Sequence, residues 1–175
     1  MSMKKFFLLL ILLSAPAFGQ ILTGGVEYSI ETARQELSNQ KPITIDYLLV
    51  KANFVDKSHK ENLTSLLKGK TELKDRTLAI FSDGSYGINY HNTPNYVWYY
   101  QNNGLLMNVE IKTSLTFPCK AYKYTPSGEL VNKTLRVSEE ETFIFSTKGK
   151  LIGHWLGKNC YDENGNIIMT RQIKN

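Results

Sequence analysis

Three histidines, two cysteines and sixteen acidic residues carry most of the chain's scope for metal, redox or acid–base chemistry. Their spacing argues against each. His59, His91 and His154 lie far apart, with no HxH or HxxxH pair of the kind a local metal site uses. His154, within "LIGHWLG", reads as a surface or half-buried strand residue. Glu139, Glu140 and Glu141 form the densest acidic group, but three consecutive carboxylates between strands read as a solvated connection. An acid–base pair instead needs two carboxyls converging in a cleft with shifted pKa values. No GxSxG elbow and no phosphate-cradling glycine loop occurs. No catalytic residue, metal ligand or cofactor is therefore expected, and whether the protein is an enzyme stays open, leaning against.

Cys119 and Cys160 are an even pair, and in an oxidising compartment they predict one disulfide. Its loop of about forty residues would contribute on the order of 4 kcal/mol through the unfolded chain.

The aromatic side chains offer a different chemistry, recognition. "YVWYY" places four rings within residues 96 to 100, and Lys123 lies between Tyr122 and Tyr124. Strand alternation puts Tyr96, Trp98 and Tyr100 on one face and Val97 and Tyr99 on the other. Two apolar faces predict either a strand covered on both sides or an exposed aromatic strip. In the second case Tyr96, Trp98, Tyr100 and Lys123 form a candidate binding surface for a protein or glycan of the cell envelope. In the first, Trp98 lies beneath a helix of residues 59 to 68.

The elements that must position these residues begin after a leader. Lys4 and Lys5 precede the apolar run Phe6 to Leu13 and the small-residue stretch "SAPAFGQ", the order of a secretory signal peptide ending at Gly19. The run is too short to span a bilayer, so no membrane span is expected once it is removed. Its loss leaves residues 20 to 175 as a single domain and lowers the formal net charge from +5 to +3. No four basic residues stand together, which argues against nucleic acid as a partner. The leader predicts export to the periplasm or the outside.

Residues 26 to 70 carry helical spacing. Ser29 can cap a helix with Ile30, Ala33 and Leu37 on one face, and Asn39 and Pro42 punctuate its end. Residues 44 to 54 fit either helix or strand, with helix favoured by Ile45, Leu48, Leu49 and Ala52. Ser58 and Glu61 form a capping box before Leu63, Leu66 and Leu67.

From residue 78 the period becomes two. Gly84, Gly104, Gly128, Gly149 and Gly165 each follow an aromatic: Phe81, Tyr100, Tyr124, Phe145 and Tyr161. The gap is four residues except at Gly84, where it is three, and Tyr86, Leu106, Leu130, Leu151 or Ile167 stands two residues after each glycine. Each unit reads as a β-hairpin turned by a glycine at positive φ. Gly153 lies in a return strand, where a methyl group should be tolerated.

"YDENGNII" and "YKYTPSGEL" resemble the tyrosine-aspartate repeats of bacterial surface and toxin-delivery proteins, and "VWYYQNNGLL" is more similar to the MORN-type repeats of small bacterial exported proteins. The resemblance spans residues 78 to 173 and implies scaffold or interaction roles without a catalytic centre. Together these readings predict an α+β domain in which N-terminal helices pack on a C-terminal antiparallel meander of about five hairpins. The expected function is a non-enzymatic envelope binding module, the alternative a small envelope hydrolase or glycan-processing enzyme. A cleft uniting Asp46, Glu110 or Glu141 with His91 or His154 would favour that alternative.

Overall fold

The structure, a computed structural model, describes residues 28–42 and 73–174. Ten strands follow one another: β1 (Arg76–Phe81), β2 (Tyr86–Tyr90), β3 (Tyr96–Tyr100), β4 (Leu106–Lys112), β5 (Cys119–Tyr124), β6 (Leu130–Arg136), β7 (Glu141–Ser146), β8 (Leu151–Leu156), β9 (Asn159–Tyr161) and β10 (Ile167–Lys174). Every strand pairs antiparallel with its neighbours in sequence, and β1 pairs with β10, so the sheet closes into a barrel. This corrects the expected α+β arrangement. The meander does not lie open beneath helices; it curls on itself, and among the described residues the helical content is one nine-residue element, α1 (Ile30–Ser38). Twist supplies the physical reason: an even number of right-twisted antiparallel strands brings the last beside the first, which removes both open edges. The segments 44 to 54 and 58 to 69 lie outside the described residues.

The five glycine turns share one geometry. At Gly149 the glycine N–H donates to Ser146 O at 3.0 Å, while Ser146 N–H donates to Lys150 O at 2.8 Å, with Gly149 at φ +82°. The same pair of bonds recurs around Gly84, Gly104, Gly128 and Gly165, all at positive φ. A type I turn followed by a left-handed residue produces this pattern, and the extra residue shifts the register beside the turn. That shift explains the recurring spacing. It sets Tyr100 opposite Leu106, Tyr124 opposite Leu130, Phe145 opposite Leu151 and Tyr161 opposite Ile167. In the first hairpin Ile80 holds the equivalent place opposite Tyr86, and Phe81 faces the interior instead. The one irregular gap in the sequence pattern is thus a substitution of Ile80 for the aromatic.

Alternation divides the wall into two faces of unlike chemistry. Outside β1 to β5, Leu78, Tyr86, Ile88, Trp98, Tyr100, Val109, Ile111, Tyr122 and Tyr124 form one buried cluster. Outside β6 to β8, Leu135, Val137, Phe143, Phe145 and Leu151 form a second, closed by Ala33 and Leu37 of α1. Helix α1 starts where its sequence says it should, with Thr32 N–H donating to the Ser29 hydroxyl at 3.0 Å. Arg34 and Glu36 fasten it to the barrel, Arg34 Nε donating to Gly149 O at 3.0 Å and Glu36 pairing with Lys120 at 2.8 Å.

Candidate functional site

The inner face is hollow and polar. A cavity of about 420 Å³ occupies the lumen, and at the end opposite the glycine turns it meets a wider mouth of about 660 Å³. Register stacks the lining side chains in rows. Glu110 on β4 stands beside Lys123 on β5 and Asn132 on β6. One layer nearer the mouth, Lys112, Ala121 and Thr134 align. Cys119, Arg136 and Thr142 form the next layer.

Charge in this interior is lopsided. The Tyr99 hydroxyl donates to Glu110, and burial with the neighbouring carboxylate pushes its pKa well up. Lys123 Nζ sits 3.7 Å from the centre of the Tyr99 ring. Burial lowers the Lys123 pKa, and Glu110 offsets part of that shift. Burial first, then repulsion from Arg136, lowers both Lys112 and Arg171. Lys112, Arg136 and Arg171 line both the lumen and the mouth, so three cations converge from β4, β6 and β10 where the two meet. Arg171 lies over Trp155 with its guanidinium carbon 4.7 Å from the ring centre, and its Nε donates to Gly157 O at 3.1 Å.

Two buried polar atoms of the lumen are left over. Among the described residues the acceptor Asn132 Oδ1 and the hydroxyl Thr134 Oγ1 have no hydrogen-bond partner, although the residues are only 6% and 1% exposed. Both line the lumen. The remaining wall is mixed, with Thr77, Asn89, Asn108 and Thr142 among apolar and aromatic side chains. Phe81 stands between Tyr99 and Trp155, at 6.1 and 5.9 Å between ring centres.

The aromatic strip expected from sequence divides between the two faces. Trp98 and Tyr100 are buried in the outer cluster, 3% and 2% exposed, and half-buried Tyr96 stacks on Trp98 at 6.1 Å. Lys123 points the other way, into the lumen with Tyr99. No surface therefore combines Trp98 with Lys123. The helix of residues 59 to 68 lies outside the described residues.

The two cysteines are buried and unbonded, which corrects the expected disulfide. Cys119 on β5 and Cys160 on β9 are separated on the wall by β6, β7 and β8. At a strand spacing of about 4.8 Å that exceeds the reach of a disulfide, whose Cα atoms stand roughly 4.4–6.8 Å apart. Burial raises both thiols, Cys160 to about 11, so neither is an activated nucleophile.

On the outer surface the acidic run is not wholly solvated: Glu141 is 2% exposed and accepts from, or donates to, His154 Nε2 at 3.0 Å. His154 stacks on Phe143 at 4.0 Å, and burial lowers its pKa to about 4. Burial also raises the Glu141 pKa. The pair borders a groove of about 460 Å³ between the start of α1 and the β9–β10 turn. Of the other groups considered for acid–base work, exposed His91 meets Thr77 and Lys74, Glu110 lies in the lumen, and Asp46 lies outside the described residues. Among the described residues no three His, Cys, Asp or Glu side chains are gathered as a metal site.

The lumen residues were hidden by their own regularity. Glu110 and Lys112, or Asn132, Thr134 and Arg136, read in sequence as the solvent side of a two-faced strand. Only closure turns that side inwards. Compared with protein-family models, curated proteins and solved structures, the chain matches none.

Proposed function

We propose that this is an exported, non-enzymatic binding module of the cell envelope, and that its binding site is the barrel lumen. The observation that carries this reading is the hollow interior with two orphaned buried acceptors, Asn132 Oδ1 and Thr134 Oγ1. A buried acceptor left dry costs roughly 1–3 kcal/mol, so a lumen built around two of them is suited to an occupant that donates hydrogen bonds. Cavities of this size hold one small molecule. The leader-like Lys4–Gly19 segment supports export. No helix among the described residues is long and apolar enough to cross a membrane. The strands span three to eight residues, short of the roughly nine to eleven a membrane-crossing strand needs.

Native mass spectrometry of the protein isolated from producing cells tests the reading. An adduct of about one small molecule per chain is expected, absent from Ala79→Trp, which fills the lumen. Bare protein in both preparations would sink it.

A second reading, a small envelope hydrolase, draws support from the Glu141–His154 pair beside its groove. It ranks lower because Glu141 is sealed from solvent and the imidazole is stacked on Phe143. Hydrolysis of envelope substrates that is lost in His154→Gln but kept in Ala79→Trp would reverse the order.

A further inference from the structure

Resting on the lumen reading, the geometry points to the chemical class of the occupant: an organic anion with an apolar body and a hydrogen-bond donor. Its acid group, carboxylate, phosphate or sulfonate, is held by Lys112, Arg136 and Arg171 where lumen meets mouth. Its body lies along Phe81 and Trp155, and its donor meets Asn132 Oδ1 and Thr134.

Three independent features support this. First, the four inward-facing cations Lys112, Lys123, Arg136 and Arg171 outnumber the two carboxylates that line the same cavity, Asp83 in the β1–β2 turn and Glu110, which already accepts from Tyr99. Lys112, Arg136 and Arg171 make no ion pair among the described residues, and burial together with repulsion from Arg136 acts on Lys112 and Arg171. Gathering like charges in a half-dry mouth is unfavourable unless an anion joins them, and guanidinium forks match oxyanion geometry. Glu139 and Glu140 border the same mouth, and Glu140 attracts Arg171 through space, but among the described residues neither forms a salt bridge with any of the three. Second, the orphaned Thr134 lies level with Lys112 and one layer deeper than Arg136, and Asn132 one layer deeper again, so one ligand spans both sets. Third, the opposite wall is aromatic, which favours an apolar body over a bare inorganic ion.

The test uses two matched fluorophores with the full chain. 8-Anilino-1-naphthalenesulfonate carries an acid, a flat apolar body and an N–H donor, and N-phenyl-1-naphthylamine is the same molecule without the acid. The sulfonate is expected to bind at least about tenfold more tightly, and Arg136→Gln or Arg171→Gln to remove about tenfold or more of that affinity while leaving the amine within about twofold. Should either variant fail to fold, salt gives the same answer in the wild type: sulfonate binding should weaken as salt rises, amine binding should not. Equal binding of both dyes, indifferent to salt and to the arginines but abolished by Ala79→Trp, would overturn the anion assignment and leave the lumen site standing. Dye binding that persists in Ala79→Trp, or no binding of either dye, would overturn both.

Discussion

Lys123 Nζ stands 3.7 Å from the centre of the Tyr99 ring, inside the barrel, although the two strands that carry them are separated by β4. Glu110, on that intervening strand, completes the trio by accepting from the Tyr99 hydroxyl. The lumen thus holds its one central carboxylate with a neutral donor and a cation. Tyr99→Phe keeps the ring under Lys123 and deletes the donor. It should destabilise by about 1.5–3 kcal/mol in chemical denaturation, the range for a hydrogen bond to a charged group. A loss below a few tenths would mean that water replaces the hydroxyl.

Trp98 belongs to the outer core and not to the binding site. Trp98→Ala should cost roughly 3–5 kcal/mol of stability. In Trp155→Phe protein, Trp98 emission should be blue-shifted and resistant to acrylamide. Red-shifted, readily quenched emission would contradict the burial.

Two glycines separate backbone strain from crowding. An added Cβ at Gly149 would meet nothing within 4 Å, but φ is +82°, so Gly149→Val should cost about 1–3 kcal/mol through conformation alone. Gly153 reverses the sequence expectation of mildness: a Cβ there would lie 2.8 Å from Cys160 Sγ. Gly153→Ala should cost about 1–3 kcal/mol by overpacking, and Cys160→Ala should recover most of it in a double-mutant cycle. Additive losses would show that the sulfur moves aside freely.

The thiols offer a direct chemical check. Folded protein should react slowly with alkylating agents near pH 8, because burial keeps both cysteines protonated. Unfolding without reductant should then expose two alkylatable groups. A single cross-linked species, insensitive to alkylation until reduced, would restore the disulfide.

Acid should weaken the fold through His154. Burial lowers its pKa from 6.5 to about 4. Between those values the unfolded chain binds a proton on this ring and the folded one does not. The contribution is therefore complete above pH 6.5 and is lost as pH falls towards 4. The raised carboxyl of Glu141 acts in the opposite sense, since the folded state takes up its proton more readily. Comparing the wild type with His154→Gln isolates the imidazole, and the variant should show the shallower decline across that window. Parallel profiles would assign acid sensitivity elsewhere.

Much of the wall was legible in the chain and its closure was not. Each hairpin announces itself through local chemistry, a polar turn, a glycine and an aromatic–aliphatic pair, because turn geometry is decided within about six residues. Ser29, Ala33 and Leu37 marked α1 for the same reason. Whether a meander stays open or joins its ends depends on accumulated twist and on β1 meeting β10, which no short window encodes. The lumen inherits that blindness. Lys112, Arg136 and Arg171 sit on three strands far apart in sequence, and each alone reads as an ordinary exposed base. Glu141 shows the converse, a residue in an acidic run that a single imidazole draws into the protein.

Closure also sets the order of assembly. Every pairing but one joins strands adjacent in sequence, whereas β1 and β10 bring Leu78 to Lys174, nearly a hundred residues away. Hairpins of this kind form within microseconds, while the seam must wait for the whole wall and carries the largest loop-closure entropy. Until it zips, the free margins of β1 and β10 present unpaired backbone that can recruit a second copy. Shortening β10 should therefore leave the hairpins intact and send the protein into swapped dimers and aggregates.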